Sequence, residues 1–325
     1  MFNMCGIFGI ALNFKVNLDK IHSDIKNFVK YSETRGSDTF GISLKIDEVN
    51  YVFKENEKPS EAIKKEEYKK FFQQYLKNKE IENLSLIGQT RLVTNGSKFS
   101  YDNNQPLLTE NIIGVHNGIF TNLDENTISR TKNYEAYNVK SDSLIFFEKI
   151  SDLVNKENFL ENYEKFLKNI KGNFSIAFKI KNENKLFLSS NCGSLYYFCE
   201  DNFFCFASEK NILVKYLNNS NICKKRNIDL IKQCIGKTII YDQKKNHISF
   251  LENNTQKINL TGQLKIFNNL KYKKERIKNL KRCSKCILPE TYPFIEFDEK
   301  NECNYCKNYE KQKFLGKDKL NKSFR

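Results

Sequence analysis

Nowhere in its 325 residues does this sequence run through the roughly eighteen consecutive apolar positions that a membrane-spanning helix requires. Its start is equally short of a secretory signal, because the apolar stretch from Ile7 to Leu12 is brief and no basic leader precedes it. A cytoplasmic protein without a membrane partner is therefore expected. A disulfide framework is missing too: six of the ten cysteines are scattered between Cys5 and Cys234, and the other four crowd into Cys283 to Cys306, a spacing that suits a metal. The last absence is a concentrated basic element. The formal charge of +15 comes from 54 Lys and Arg against 39 Asp and Glu, but the lysines are interspersed with Glu and Asn, which makes a solvated surface rather than a phosphate-binding face. Even the densest run, KYKKERIKNLKR (271–282), reads as a solvated helix or linker, so no nucleic-acid partner is expected.

What is present, 39% hydrophobic and 13% aromatic residues, is enough for one full-sized domain and an appendage. Ile21, Ile25, Phe28 and Val29 repeat at helical spacing, as do Leu160, Tyr163 and Leu167, while Phe174, Ile176, Phe178 and Ile180 alternate as a half-buried strand does. Further short strands are expected at 5–10, 41–47, 84–90, 112–116, 185–190 and 203–207. Strands in runs, with few helices between them, argue for an α+β arrangement of stacked sheets rather than a βαβ relay. The expected divisions are a domain over 5–250, a basic polar connector over 251–281, a cysteine unit over 282–310 and a tail over 311–325.

Five short stretches bear on chemistry: CGIFGI at Cys5, RGSDTFG at Arg35, GQTRLVTNG at Gly88, GVHNGI at Gly114 and SDS at Ser141. Singly they are ordinary turns and strands. Their order and spacing together resemble the glutaminase domain of the class II glutamine amidotransferases, the N-terminal-nucleophile family. GNFSIAF at Gly172, CGSLYY at Cys192 and FASEKNIL at Phe206 extend the resemblance to about residue 250. It implies a four-layer αββα sandwich and hydrolysis of glutamine to glutamate and ammonia.

On that resemblance Cys5 is the nucleophile. Attack on an amide carbon needs a thiolate, and a thiol with a pKa of about 8.5 is mostly protonated at neutral pH unless a base or a positive field acts on it. The α-amino group of Cys5 itself, with a pKa of about 7.7 to 8.0, is a suitable base, whereas an upstream peptide bond turns it into a non-basic amide. Residues 1–4 are therefore expected to be removed. Arg91 matches the arginine that grips the substrate α-carboxylate with its planar fork, and Asp142 matches the aspartate that answers the α-ammonium. Thr94 and Asn95 fall where residues line the same pocket, and Asn117 with the backbone N–H of Gly118 matches the oxyanion hole. Gly6 permits close approach of the chain to the nucleophile. The family often carries His at the positions of Gln89 and Asn95, and Ile119 replaces a frequent Glu, which leans towards the glucosamine-phosphate-synthase style of pocket. His22 and His116 are expected to be structural, and His247 lies outside every motif.

RCSKC (Cys283, Cys286) and ECNYC (Cys303, Cys306) form C-x2-C-x16-C-x2-C. Two such knuckles close a tetrahedral four-sulfur site whose soft ligands favour Zn²⁺ in a structural role. The wording CSKCILPETYPFIEFDEKNECNYC resembles the N-terminal zinc segment of the N-acetyl sugar amidotransferases, ATP-pyrophosphatase-type enzymes of surface-polysaccharide synthesis. In that family a phosphate loop S-G-G-x-D-S follows, and none occurs before Arg325. Residues 311–325 are thus expected to be the threshold of a missing synthetase domain. The expectation is ammonia supply to an ATP-dependent sugar amidotransferase domain or subunit. The alternatives are a non-catalytic docking or regulatory module for such a synthetase and an asparagine-synthetase-like component.

Overall fold

The helical repeat of Ile21, Ile25, Phe28 and Val29 produces α1 (Leu18–Ser32), whose first turn is capped by Asn17: its side-chain oxygen accepts the Asp19 N–H at 2.7 Å. The computed structural model describes residues 5–46, 48–76, 80–93, 98, 101–123, 141–223, 226–251, 263–266 and 279–310. The chain divides into two units, Met1–Tyr272 and Lys273–Arg325.

In chain order, the strands of the first unit are β1 (Gly6–Asn17), β2 (Thr39–Ile46), β3 (Val49–Glu55), β4 (Glu80–Arg91), β5 (Leu107–Leu108), β6 (Ile112–Phe120) and β7 (Gly172–Ile180). They continue with β8 (Lys185–Ser190), β9 (Tyr196–Glu200), β10 (Phe203–Ala207), β11 (Lys232–Gln233), β12 (Lys237–Asp242), β13 (His247–Phe250) and β14 (Gln263–Ile266). One sheet runs β11-β9-β10-β1-β4-β2-β3-β14 and the other β13-β12-β8-β7-β6-β5. Every pairing is antiparallel except that of β14 with β3. The interval expected to be a connector therefore contributes a strand to the larger sheet, and most of its remainder lies outside the described residues.

Helices cover both outer faces. With α2 (Pro59–Ala62), α3 (Glu66–Leu76) and α6 (Lys210–Asn219), α1 packs on the larger sheet, burying Phe8, Phe28, Phe40, Phe71 and Tyr216. On the smaller sheet α4 (Asp142–Val154) and α5 (Phe159–Lys168) bury Phe146, Phe147, Tyr163 and Phe178. A third core, built from Ile7, Ala11, Ile87, Val115, Ala177, Leu188 and Phe204, lies between the sheets. This is a four-layer αββα sandwich with stacked sheets, as the resemblance implied.

The strand expected from Phe174 to Ile180 is present as β7, but it is buried on both faces rather than half-buried. Phe174, Ile176, Phe178 and Ile180 face the helices. The intervening Ser175, Ala177 and Lys179 are also buried, Ala177 in the core between the sheets. Several strands are longer than expected: β1 continues past a bulge between Asn13 and Val16, and β3, β9, β12 and β13 join the expected set. Among the described residues no helix is long and apolar enough to cross a membrane.

Among its described residues the second unit holds one short helix, α7 (Asn304–Lys307), and two isolated bridges, Arg282 with Pro289 and Phe297 with Cys303.

His22 is half-buried. Its ring stacks on Phe72 at 4.2 Å and lies 5.4 Å from that of Tyr68. Burial pushes its pKa down to about 4, with Lys26 adding to the fall and Asp19 opposing it. Between the ordinary value of about 6.5 and the folded value, the unfolded chain binds a proton that the folded one refuses, so stability falls with pH through that window and levels below it. The melting temperature is expected to drop as pH is lowered from 6.5 towards 4, and His22→Phe should reduce the drop. An unchanged slope in that variant, followed by circular dichroism, would remove His22 from the account.

Candidate active site and cysteine cluster

Strand pairing brings the site together. The register of β1 on β4 sets Gly6 opposite Thr90, so the next step of the ladder places Cys5 opposite Arg91. The Cys5 Sγ lies 3.5 Å from the Leu92 carbonyl oxygen. Close approach here requires glycine at position 6: a Cβ would come within 2.6 Å of Thr90 Oγ1 and 2.9 Å of the Ser32 carbonyl oxygen. Thr90 Oγ1 itself donates to that carbonyl at 2.7 Å, tying the end of α1 to β4.

Burial pushes the Cys5 thiol up from its ordinary value, against the pull of the Arg91 and Arg35 guanidinium groups; Asp38 adds to the rise. Arg91 is buried, and its Nη1 donates to Asn104 Oδ1 at 2.9 Å. Burial lowers its pKa, while Cys5, Asp38 and Asp142 stabilise its charge. Arg91 thus lies within electrostatic reach of the thiol and of both carboxylates. Asp38 accepts the Val93 N–H at 2.8 Å and so holds the chain leaving β4. Arg35 pairs with Glu209 at 2.6 Å, joining the loop after α1 to the start of α6.

Asp142 opens α4, behind the Ser141 cap whose Oγ accepts the Leu144 N–H at 3.2 Å. Its carboxylate accepts the N–H groups of Phe120 at 2.9 Å and Ser143 at 2.8 Å. A carboxylate in a first helical turn is favoured by the helix dipole. The first of these bonds ties Asp142 to the end of β6, two residues beyond Gly118.

Asn117 and Gly118 lie on β6 in the smaller sheet. Asn117 is buried; its Nδ2 makes a long 3.5 Å contact to Ser194 Oγ, and its Oδ1 has no partner among the described residues. Ser194 Oγ donates to the Ser208 carbonyl at 3.3 Å, and Ser208 Oγ accepts the Ile7 N–H at 2.8 Å, so a short polar chain joins Asn117 to β1 two residues from Cys5. Gly118 has φ +142°, and a Cβ would meet the Asn173 carbonyl oxygen at 2.0 Å. Thr94 and Asn95 lie outside the described residues.

Gln89, at a position where the family often has His, donates to the His116 carbonyl at 2.6 Å and so ties the two sheets. His116 is buried, stacks on Phe120 at 4.2 Å, and its Nδ1 meets Ser143 Oγ at 2.7 Å. Both histidines expected to be structural sit in packed surroundings, and His247 is an exposed residue of the edge strand β13. The segment Tyr101–Pro106 has a part that its motif-free sequence did not signal: Asn103, Asn104 and Gln105 are all buried, with Asn104 on Arg91 and Gln105 Oε1 accepting the His116 N–H at 2.6 Å.

In the second unit the Sγ atoms of Cys283, Cys286, Cys303 and Cys306 lie within 4.8 Å of one another. Cys283 is 3.8 Å from Cys306, and Cys286 is 3.6 Å from Cys303. A tetrahedron of sulfurs about 2.3 Å from a central ion has edges of about 3.8 Å, so the set fits a metal of that size. Backbone N–H groups of Lys285, Cys286 and Cys303 point at Cys283 Sγ from 3.3 to 3.5 Å. Burial opposes ionisation of Cys283, but those donors outweigh it and bring its pKa down to about 6.

Comparison with known proteins agrees with this geometry. Residues 89–215 match the family model described as a glutamine amidotransferase domain. A glutamine–fructose-6-phosphate aminotransferase (isomerizing) of Bradyrhizobium diazoefficiens is 26% identical over 191 residues, 58% of this chain and 29% of that protein. A 7-cyano-7-deazaguanine synthase of Saccharolobus solfataricus is 30% identical over 198 residues, 59% of this chain and 40% of that protein. The chain spans less than half the length of either. Among solved structures, a glutamine phosphoribosylpyrophosphate amidotransferase from B. subtilis superposes with a TM-score of 0.51 at 15% identity, over 77% of this chain and 50% of that one. An allosteric regulatory enzyme of purine biosynthesis gives 0.53 at 16% identity, with the same coverage. Sandwich, matched segment and relatives converge: residues 89–215 match a glutamine amidotransferase domain, the chain shares the fold of the two solved structures, and together these support a class II glutamine amidotransferase.

Proposed function

We propose that the domain hydrolyses glutamine to glutamate and ammonia through a thioester on Cys5. The observation that carries this reading is that Arg91 lies within electrostatic reach of both Cys5 and Asp142, since a free amino acid demands a cation and an anion near the nucleophile. Removal of residues 1–4 frees the Cys5 amine, which takes the thiol proton as Sγ attacks the side-chain carbonyl carbon. The oxyanion is held by Asn117 Nδ2, whose existing contact is long and weak, and by the Gly118 N–H. Collapse returns the proton to the leaving nitrogen and expels ammonia. Water, deprotonated by the same amine, then cleaves the thioester, releasing glutamate and restoring the thiol.

The ammonia goes to an ATP-dependent sugar amidotransferase domain or subunit of surface-polysaccharide synthesis in the cytoplasm. Two things support this: the wording of the cysteine segment, and relatives that extend well beyond the shared region. Cys283, Cys286, Cys303 and Cys306 hold one structural Zn²⁺, which supplies a cross-link that folds the segment and leaves no position open for chemistry. Zinc content of the purified chain is expected to be about one per molecule and to fall on Cys283→Ser with Cys303→Ser; undiminished metal in that double variant would end the assignment.

Chains beginning at Cys5, identified by intact mass, are expected to hydrolyse glutamine, and those retaining residues 1–4 or carrying Cys5→Ala are not. Full activity of the alanine variant would overturn the reading. Arg91→Lys keeps the charge but loses the fork and should raise KM. Asn117→Ala should instead lower kcat by about 10²- to 10³-fold. If Asn117→Ala moved neither constant, the oxyanion assignment would have to go.

A further inference from the structure

Lys54 sits in β3, opposite Gly41 of β2, and is 1% exposed. Its Nζ donates to the Tyr101 carbonyl at 3.1 Å and lies 3.9 Å from the centre of the same residue's ring. That carbonyl also accepts the Asn104 N–H at 3.3 Å, which closes the turn over Tyr101–Asn103. Asn104, fully buried, accepts Arg91 Nη1 through Oδ1 at 2.9 Å and donates through Nδ2 to the Lys98 carbonyl at 2.6 Å. The turn therefore hangs on Lys54 at one end and offers Arg91 its acceptor at the other.

A buried ammonium is expensive, and an apolar side chain of similar length would fill the space at less cost. The position is costlier still because a second cation is near: burial lowers the Lys54 pKa to about 7, with Asp102 opposing and Arg91 adding to the fall. Its cost is offset by a geometric gain. With an apolar residue here the Tyr101 carbonyl would keep one hydrogen bond, from the Asn104 N–H, where it now has two.

We propose that Lys54 is a positioning residue for the substrate carboxylate: by holding the Tyr101 carbonyl it fixes Asn104, and Asn104 fixes the direction of the Arg91 guanidinium. The proposal deepens the glutamine reading and rests on it. It assigns Lys54 no contact with substrate.

The test uses chains that begin at Cys5, identified by intact mass, and two reagents for that residue, followed by peptide mass spectrometry. A diazo-ketone analogue of glutamine needs Arg91 to bind, whereas iodoacetamide needs only an accessible thiol. In Lys54→Met, labelling by the analogue is expected to slow on the order of tenfold, the size of effect that loss of a charged buried hydrogen bond produces. Iodoacetamide labelling should stay near the wild-type rate. Asn104→Ala should show the same selective loss, and the double variant should be no worse than either single one, because both act on one path. Equal analogue labelling in Lys54→Met and wild type would overturn the proposal. So would a parallel loss with both reagents, which marks a purely structural lysine, or additive losses in the double variant. Failure of the wild-type chain to react with the analogue would instead strike the glutamine reading itself.

Discussion

The site depends on the pairing of β1 with β4. That ladder sets Gly6 against Thr90 and so delivers Cys5 to Arg91. Both faces of β1 are buried, so hydrophobicity alone does not choose its register. Size does: Phe8, Ile10 and Leu12 fill the helix-side core, and Ile7 and Ala11 the tighter core between the sheets. A slip by one residue would exchange the two sets and turn Cys5 to the wrong face. The thiol's position is thus secured by packing that extends well along the strand.

Placing Cys5 is half of the problem, because Asn117 and Gly118 arrive on the other sheet. An apolar layer between two sheets resists separation better than it resists sliding. Buried polar ties supply the missing direction. Gln89 reaches across to the His116 carbonyl, Gln105 takes the His116 N–H, and Ser194 and Ser208 link Asn117 to Ile7. A slide would leave several of these groups unpaired at about 1–3 kcal/mol each. Polar atoms in the core specify which packed arrangement is adopted, while the apolar residues specify that one is.

This division explains what could be read in the sequence. Helix α1 was legible because Ile21, Ile25, Phe28 and Val29 carry one face against solvent-facing neighbours. The alternation in β7 revealed the strand and its period but misled about burial, since the interleaved Ser175, Ala177 and Lys179 look solvent-bound and instead occupy buried positions. Small and polar residues fit where two sheets approach, and a one-strand window holds no sign of the second sheet. The motifs around Cys5, Arg91, Asn117 and Asp142 are legible by their order along the chain, and the structure brings Arg91 within electrostatic range of both Cys5 and Asp142. Asn103, Asn104 and Gln105 were passed over because three amides before a proline read as a solvated turn. Asn104 and Gln105 are held inward by donors on β4 and β6, Arg91 and His116, whose positions a local reading of the turn does not reveal.

On the proposed reading, burial at Cys5 works in two directions. It raises the thiol's pKa even with two guanidinium groups nearby, so the unprocessed chain holds its nucleophile protonated and unreactive. The same exclusion of water strengthens every donor aimed at a developing oxyanion, because charge in a low-dielectric site is stabilised chiefly by the dipoles fixed around it. A site built to ionise the thiol on its own would need more positive charge, and that charge would compete with Arg91 for the substrate's carboxylate and repel its ammonium. Moving the base onto the nucleophile's own amine avoids that conflict. Proton removal and substrate recognition then use different groups, and each can be placed without disturbing the other.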